Sequence, residues 1–361
     1  MLHALERLVA VESPSSDKAA CARAADAVSD LAAELLDGVA PERIVVDNAT
    51  HLRWTFGTAP TRVALIGHFD TVWPLGTLAE LPFKVNDGLA FGPGCFDMKA
   101  GIVQGLFALA SIGVDALDGV ALLLTSDEEV GSPSSRALVE YTARGAVAAL
   151  VLEPSVGGAL KTARKGVGMY RLKVLGRSAH AGLEPENGAN ALVALAAALR
   201  DVAELGDDAK GTTVTPTTAS AGTARNVVPD SAVTEIDVRG ETADELHRVD
   251  DAIRGLVPSV ADTSFEIEGG LNRPPLDAES SADLFARAQR IAADVGIGEL
   301  RGQAVGGGSD GNFTAGIGVP TLDGLGAVGD GAHARHEHVV VDAMDARSDL
   351  VAALVRELLG S

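Results

Sequence analysis

The residues of this chain that could do chemistry come directly after short apolar segments. An imidazole and several carboxylates take this position: His68 and Asp70 after VALIG, Glu128 and Glu129 after VALLLT, and Glu153 after AALVL. Short apolar runs of this kind predict buried strands of a parallel sheet. The carboxyl ends of such strands lie along one edge of the sheet, where ligands bind. The sequence therefore predicts that these side chains converge on one crevice.

Two further segments carry groups of the same types. Asp97 lies in FGPGCFDMKAG, whose glycines allow the close backbone approach that a tight site requires. GAHARHEHV supplies three imidazoles late in the chain, His333, His336 and His338. Carboxylates packed closely repel one another unless cations neutralise them, so their convergence predicts bound metal. Imidazole and carboxylate donors without thiolate favour zinc, with manganese or cobalt as alternatives.

The elements that must position these groups change in character along the chain. In 1–166, apolar strands alternate with stretches of helical periodicity, which predicts βαβ units and a mostly parallel sheet. In 167–272, strands outnumber crossovers, which predicts an inserted α+β domain with a four-stranded antiparallel sheet and two helices. After NRPPL the α/β pattern resumes in 273–361. We therefore expect an α/β protein whose catalytic domain, 1–166 with 273–361, is interrupted by a smaller domain.

Composition excludes several classes of function. The 361 residues suggest about two domains, and 50 acidic against 29 basic residues give a formal net charge of -21. Such a charge repels a phosphate backbone and an anionic bilayer, so we expect neither a nucleic-acid nor a membrane partner. No apolar run approaches the roughly 18 residues that a membrane span needs. Two cysteines, Cys21 and Cys95, are too few for a disulfide framework, which favours the cytoplasm.

Specific motifs follow one another in order along the chain: GHFDTV at 67–72, FGPGCFDMKAG at 91–101, TSDEEVGS at 125–132 and LEPS at 152–155, then SAHAG, RNVVPDSA, DVR, GGGSDGN and GAHARHE. In these motifs the sequence resembles the M20 family of metallopeptidases. That family contains glutamate carboxypeptidases, acetylornithine deacetylase and succinyl-diaminopimelate desuccinylase. The resemblance covers essentially the whole chain and is greatest to the glutamate carboxypeptidase branch.

The resemblance implies a site for two metal ions. Asp97 would bridge the ions, His68 and Glu153 would complete one site, and Glu129 with a late histidine would complete the other. Two ions so placed activate a water and polarise the scissile carbonyl.

The identity of the late histidine is left open by the resemblance. A metal-binding histidine of the family is commonly followed four residues later by Glu, and His333 with Glu337 has that spacing. His336 is the competitor because it directly precedes Glu337.

The resemblance also assigns the proton transfers. Glu128 would be the general base, taking a proton from the water and passing it to the leaving nitrogen. Adjacent residues of an extended segment point opposite ways, so Glu129 could face the metal while Glu128 faces the water. Asp70 would fix the ring of His68 through its other nitrogen.

In the smaller domain, the resemblance implies a dimerisation module. His180 would reach a catalytic site, its own or that of the partner subunit, and bind the oxyanion of the tetrahedral intermediate. Asn226 and Arg239 would contact substrate, while Arg273 and Lys161 match positions that bind substrate carboxylates in the glutamate-specific branch. A homodimer formed through the inserted domain is therefore expected.

We expect a cytoplasmic, two-metal amidohydrolase that cleaves the amide bond of a C-terminal or N-acylated amino acid. It would act on small peptides or N-acyl amino acids as a carboxypeptidase, with a preference for glutamate as the finer expectation. An N-acyl-amino-acid deacylase or dipeptidase on the same scaffold is the alternative. A catalytically silent binding protein is the alternative of another class, and the presence of Glu128 argues against it. A nucleotide-binding role read from GGGSDGN is disfavoured because the run lacks the Gly-Lys-Ser/Thr of a P-loop.

Overall fold

The computed structural model describes Met1–Gly360 and divides into two compact units. Unit 1 comprises Met1–Ala163, Leu276–Val305 and the chain from Ser309 onward, and unit 2 comprises Arg164–Pro275 with Gly306–Gly308. The catalytic and dimerisation roles expected of the two parts of the chain stay predictions.

Helices and strands occur in both units. The helices are α1 Leu2–Val9, α2 Lys18–Leu35, α3 Thr77–Glu80, α4 Ala100–Ile112, α5 Arg136–Ala143, α6 Ala191–Ala203, α7 Ala243–Arg254, α8 Ala278–Asp294, α9 Gly311–Gly316 and α10 Met344–Leu359. The strands are β1 Glu42–Val46, β2 Ala49–Thr55, β3 Val63–His68, β4 Lys84–Asn86, β5 Leu89–Phe91, β6 Val120–Thr125, β7 Ala148–Val151, β8 Leu160–Arg164, β9 Gly166–Leu175, β10 Thr213–Ala221, β11 Ser231–Gly240, β12 Ser264–Arg273, β13 Gly302–Val305, β14 Thr321–Leu322, β15 Gly329–Asp330 and β16 His338–Val340.

Unit 1 is built on a six-stranded sheet in the order β1-β2-β6-β3-β7-β14. Strands β6, β3, β7 and β14 run parallel, and β2 and β1 extend the sheet antiparallel on one side. Every residue of β3 and β6 is buried, as expected where both faces of a parallel sheet are covered. Val63 and Leu65 of β3 face one core, and Ala64 and Ile66 face another. The predicted mostly parallel sheet is confirmed.

Helix α4 packs closely against the sheet of unit 1. A Cβ atom on Gly101 would lie 2.0 Å from the backbone oxygen of Leu152, so only glycine permits this approach. The stretch Cys95–Ile112, which includes Asp97 and Lys99, is long and apolar enough to span a membrane by length and composition alone. It is nevertheless 72% buried inside the protein, as is usual for a core helix. The close contact between Gly101 of α4 and Leu152 holds the chain in place just before Glu153.

Unit 2 contains a four-stranded antiparallel sheet in the order β10-β11-β9-β12. Alternate residues of β9, Tyr170, Leu172 and Val174, are buried and form a core with residues of α6 and α7, among them Leu195 and Val249. This alternation is typical of a sheet with one covered face. The predicted antiparallel sheet with two helices is confirmed.

Candidate metal centre

The parallel strands of unit 1 bring three donor-bearing segments to one edge of the sheet. β3 lies between β6 and β7, and His68 at the end of β3 is in register with Thr125 at the end of β6. Glu128 follows β6 by three residues, and Glu153 follows β7 by two residues. Because the three strands are parallel, their carboxyl ends adjoin.

The first donor group consists of His68, Asp97 and Glu153. The Nε2 atom of His68 lies 3.4 Å from Asp97 Oδ1 and 3.4 Å from Glu153 Oε1. Its Nδ1 atom lies 3.1 Å from the backbone oxygen of Asp70, which can only accept, so Nδ1 carries the donated proton. His68 Nε2 and Asp97 Oδ1 are buried and have no hydrogen-bond partner within Met1–Gly360. A cation between these atoms would satisfy both, and the donors suit zinc.

The second donor group consists of Asp97, Glu129 and His333. The Nε2 atom of His333 lies 3.4 Å from Asp97 Oδ2 and 3.1 Å from Glu129 Oε2. Asp97 therefore turns one oxygen to each group. His333 has a φ of +63°, a left-handed conformation that is uncommon for a residue with a side chain and clusters at functional sites. His336 lies outside both groups and lines a cavity with Trp73 and Phe91.

The electrostatics of the two groups show what a cation would replace. Asp97 and Glu129 raise the pKa of the half-exposed His333 to about 10. Burial opposes protonation of His68, but Asp70, Asp97 and Glu153 hold its pKa well above the ordinary value. Burial alone would raise the pKa of Asp97, yet the two imidazoles hold it well below its usual range. Protons on the imidazoles thus balance the carboxylates in the metal-free protein, and a divalent cation could take over that balance.

Asp70 organises the segment that carries the paired glutamates. Its carboxylate accepts hydrogen bonds from the backbone N–H groups of Glu128 and Glu129, both at 3.2 Å, and from Ser15 Oγ at 2.7 Å. It also lies 3.4 Å from His68 Nδ1. One buried carboxylate therefore connects the predicted base with a predicted metal ligand.

Glu128 and Glu129 do not lie in an extended segment, and that expectation was wrong. They begin the short helical turn Glu128–Val130, which ends at Gly131 in a left-handed conformation with a φ of +91°. In such a turn successive side chains diverge by about 120° instead of pointing opposite ways. Glu128 is 9% exposed and Glu129 reaches His333, so the two side chains still have separate surroundings.

Two buried carboxylates that the sequence reasoning did not single out also hold this segment. Asp127 accepts hydrogen bonds from the backbone N–H and hydroxyl of Ser134 at 2.7 and 2.6 Å. Asp310 accepts from Thr125 Oγ1 at 3.1 Å and from Ser132 Oγ at 2.5 Å. Asp127 lies within the motif TSDEEVGS and Asp310 within GGGSDGN, but the spacing within these motifs does not reveal that Asp310 contacts Thr125 and Ser132.

Lys161 lies against the first donor group. Its ammonium nitrogen is 3.4 Å from Glu153 Oε2, and the residue is 8% exposed. The residue expected to bind a substrate carboxylate thus already contacts a carboxylate of the protein.

In unit 2, His180 and Asn226 lie on adjoining exposed segments. The N–H of Ala181 donates to the backbone oxygen of Asn226 at 2.9 Å. His180 Nδ1 accepts hydrogen bonds from the N–H groups of Gly182 and Leu183, both at 3.1 Å. In the neutral ring the proton therefore resides on Nε2, which becomes a hydrogen-bond donor.

Arg239 and Arg273 occupy one row of the sheet of unit 2. Both are in register with Val167 of β9, Arg239 from β11 and Arg273 from β12. The guanidinium of Arg239 donates two hydrogen bonds to the carboxylate of Asp237, at 2.8 and 2.7 Å. Arg273 is buried and donates to the side-chain oxygen of Asn272 at 3.1 Å.

Comparisons with known proteins agree with this architecture. The peptidase family M20/M25/M40 matches residues 64–357. The chain is 30% identical to carboxypeptidase G2 of Pseudomonas sp. (strain RS-16) over 311 residues, 84% of this chain and 75% of that protein. It is also 30% identical to a succinyl-diaminopimelate desuccinylase of Azoarcus sp. (strain BH72) over 346 residues, 89% of each chain.

Among solved structures, the fold is similar to that of an M20 family metallo-carboxypeptidase from Sulfolobus solfataricus. The TM-score is 0.79 at 16% identity, over 100% of this chain and 99% of that one. The family match spans well over half of the chain, and the two relatives are named as a carboxypeptidase and a desuccinylase. The chain belongs to peptidase family M20/M25/M40 and is a hydrolytic enzyme.

Proposed function

We propose that this chain is a two-metal amidohydrolase that removes a C-terminal or N-acylated amino acid by cleaving its amide bond. The observation that carries the proposal is the position of Asp97, whose two oxygens face two separate groups of imidazole and carboxylate donors. A single ion would use only one of these groups, whereas two ions would use both.

His68, Asp97 and Glu153 would hold one ion, and Asp97, Glu129 and His333 would hold the other. The donor chemistry favours zinc, with manganese or cobalt as alternatives. When bound, such ions supply Lewis acidity, which lowers the pKa of water and polarises an amide carbonyl.

Glu128 is the proposed general base. It accepts the proton of the attacking water and delivers it to the leaving nitrogen. The hydrogen bond from its N–H to Asp70 fixes the backbone of the base relative to the strand that carries His68. Asp70 therefore acts through Glu128, Glu129 and His68 rather than on the substrate.

His180 is the proposed donor to the oxyanion that develops on the amide carbonyl. Support comes from its Nδ1, which accepts two backbone N–H groups and leaves the proton on Nε2. Whether it serves its own subunit or the partner is decided by the oligomeric state.

Preference for a glutamate substrate is the finer part of the proposal. Arg239, Arg273, Asn226 and Lys161 would bind the substrate, since a guanidinium can clamp a carboxylate through two parallel hydrogen bonds. Arg239 would have to exchange Asp237 for the substrate, and Lys161 would have to leave Glu153. The alternative, a deacylase of N-acyl amino acids or a dipeptidase, is favoured by the similarity to desuccinylases.

We also propose a homodimer formed through 167–272, and two features of the surface of unit 2 support it. Leu192 and Val193 of α6 are large apolar residues that are about half exposed, and β10 is an edge strand with mostly exposed residues. A two-fold interface would cover both features. Light scattering that shows a stable, active monomer would remove the support for His180 acting on the partner.

A cytoplasmic location is also proposed, since the buried thiols of Cys21 and Cys95 are free.

The test is a panel of dipeptides and N-acyl amino acids, assayed with zinc, manganese and cobalt. We expect hydrolysis of substrates with a free carboxylate next to the scissile amide, and a turnover lower by roughly 10²–10⁴-fold with Glu128→Gln. A wild-type protein that binds metal but cleaves no member of the panel, or a Glu128→Gln variant with full turnover, would contradict the proposed function.

A further inference from the structure

Glu337 has an unusual set of hydrogen-bond partners for a buried carboxylate. It is 3% exposed and accepts hydrogen bonds from the backbone N–H groups of Gly94, Phe96 and Asp97, at 2.8, 2.9 and 3.0 Å. A fourth comes from Trp73 Nε1 at 2.7 Å. The two carboxylate oxygens therefore receive two hydrogen bonds each.

These partners belong to segments that carry the proposed metal ligands. Trp73 follows the strand of His68, and Asp97 is itself one of the donors to Glu337. On its own side, Glu337 closes a tight turn by donating its N–H to the backbone oxygen of Ala334 at 2.9 Å, next to His333. One carboxylate thus ties together three segments that converge on the two ions.

The loop before Asp97 is shaped to receive this carboxylate. Gly94 has a φ of +70°, and a Cβ atom at this position would lie 2.4 Å from Thr71 Cγ2. A left-handed residue lets nearby backbone N–H groups point into one concavity, which is a known way to bind an anion. The glycine therefore permits the N–H groups of Gly94, Phe96 and Asp97 to meet on Glu337.

The four hydrogen bonds to Glu337 do not neutralise the charge of its carboxylate. All four hydrogen-bond donors to the carboxylate of Glu337 are neutral N–H groups. The buried ammonium of Lys99 senses the charge of Glu337 but donates its hydrogen bond to the backbone oxygen of Val11, at 2.8 Å. Burying a carboxylate without a directly paired cation is costly, so a role in stability alone would favour a neutral residue. A glutamine has the same shape but offers one acceptor oxygen and an NH2 group, which would oppose the N–H donors.

We propose that Glu337 is a positioning residue that sets the spacing between Asp97 and His333, and so the geometry of the second ion site. This inference rests on the proposed two-metal function. It predicts that the carboxylate is needed for metal binding although it is not itself a ligand.

The test compares metal binding by the wild type and Glu337→Gln, using zinc titrated calorimetrically into protein stripped of metal. We expect at least one ion to bind about 10–100-fold more weakly in the variant, the usual cost of losing a group that orients a ligand. The circular dichroism of the stripped proteins should be the same, and kcat should fall more than KM changes.

The matched control is Glu245→Gln in unit 2. Glu245 is also a buried carboxylate with several hydrogen bonds, from Lys210, Thr212 and Arg248. This variant should unfold at lower temperature than the wild type and bind both ions with unchanged affinity. Zinc affinities of Glu337→Gln within twofold of the wild type would overturn the proposal.

A second variant keeps the proposal testable if Glu337→Gln does not fold. Glu337→Asp keeps the charge but is shorter by one methylene, so it cannot reach all four donors, and we expect a zinc affinity below that of the wild type. Wild-type affinity in this variant would overturn the proposal. A wild-type protein that binds fewer than two ions would instead overturn the proposed function itself.

Discussion

The donor groups of unit 1 and Arg239 of unit 2 differ in whether their polar atoms have partners within the protein. In unit 1, Asp97, Glu129 and Glu153 converge on two imidazoles, and Lys161 lies 3.4 Å from Glu153. Even so, His68 Nε2 and Asp97 Oδ1 have no hydrogen-bond partner within the described residues. In unit 2, Arg239 has its own carboxylate on the same strand. Buried polar atoms without a partner require a group from outside, whereas a guanidinium already paired with a carboxylate does not. The residues of unit 1 therefore indicate a bound cation more strongly than the residues of unit 2 indicate an acidic substrate.

The largest expected effect separates base from ligand in unit 1. Glu128→Gln should lower kcat by roughly 10²–10⁴-fold, because proton transfer depends on this carboxylate. Metal content should stay at the wild-type value. Glu129→Gln should instead weaken the binding of one ion, measured by the same calorimetric titration. The reverse pattern would mean that the two roles are exchanged.

The next prediction tests whether Arg273 binds substrate. For a substrate with a free carboxylate, Arg273→Ala should lower kcat/KM. The loss should correspond to about 2–5 kcal/mol of activation free energy if the pair of guanidinium and substrate carboxylate is desolvated. For the matching amidated substrate the loss should be much smaller, because the interaction is already missing. Equal losses on the two substrates would show that the arginine is structural.

A smaller effect concerns the pair that balances Arg239. Asp237→Asn keeps the shape but removes the charge that competes for the guanidinium, so the KM for acidic substrates should fall while that for amidated substrates stays unchanged. Arg239→Ala is the control and should raise the KM for acidic substrates only. If Asp237→Asn changes neither KM, Arg239 does not exchange partners.

The smallest effect is on the pH dependence of stability in unit 2. Arg248 and Lys210 lower the pKa of Glu245 from 4.5 to about 2. A lowered pKa means that its ionised form stabilises the fold fully above pH 4.5, and that this contribution is lost as the pH falls towards 2. The thermal midpoint of Glu245→Gln should therefore lie below that of the wild type at pH 7 and approach it near pH 2. A constant difference across this range would contradict the assignment.

The sequence predicts the fold and the donor residues where local patterns carry the information. The apolar runs of β3, β6 and β7 mark strands, and the residues that follow them must share an edge because the strands are parallel. The pairing of Arg239 with Asp237 could also be predicted from the sequence, since residues two apart on a strand share a face.

The remaining features depend on contacts between distant segments. Glu337 bonds to the N–H of Asp97 across 240 positions, and Asp310 bonds to Ser132 across 178. Such contacts leave no pattern of local spacing, because the two partners are far apart in sequence. Their donors, backbone N–H and hydroxyl groups, also occur at many other positions of the chain. The turn at Glu128 does have a local signal, since Gly131 ends it in a left-handed conformation that favours glycine.

The proposed metal centre requires that two ions share Asp97. Metal analysis of protein purified without chelator, with zinc titration of the wild type and of Asp97→Asn, measures this directly. We expect two equivalents of metal per wild-type chain, and weaker binding of both ions in Asp97→Asn. The amide replaces one oxygen donor with an NH2 group that cannot bind a cation, and it removes the negative charge that both sites would use. A single equivalent in the wild type, or two equivalents bound by Asp97→Asn with unchanged affinity, would show that Asp97 does not join two ions.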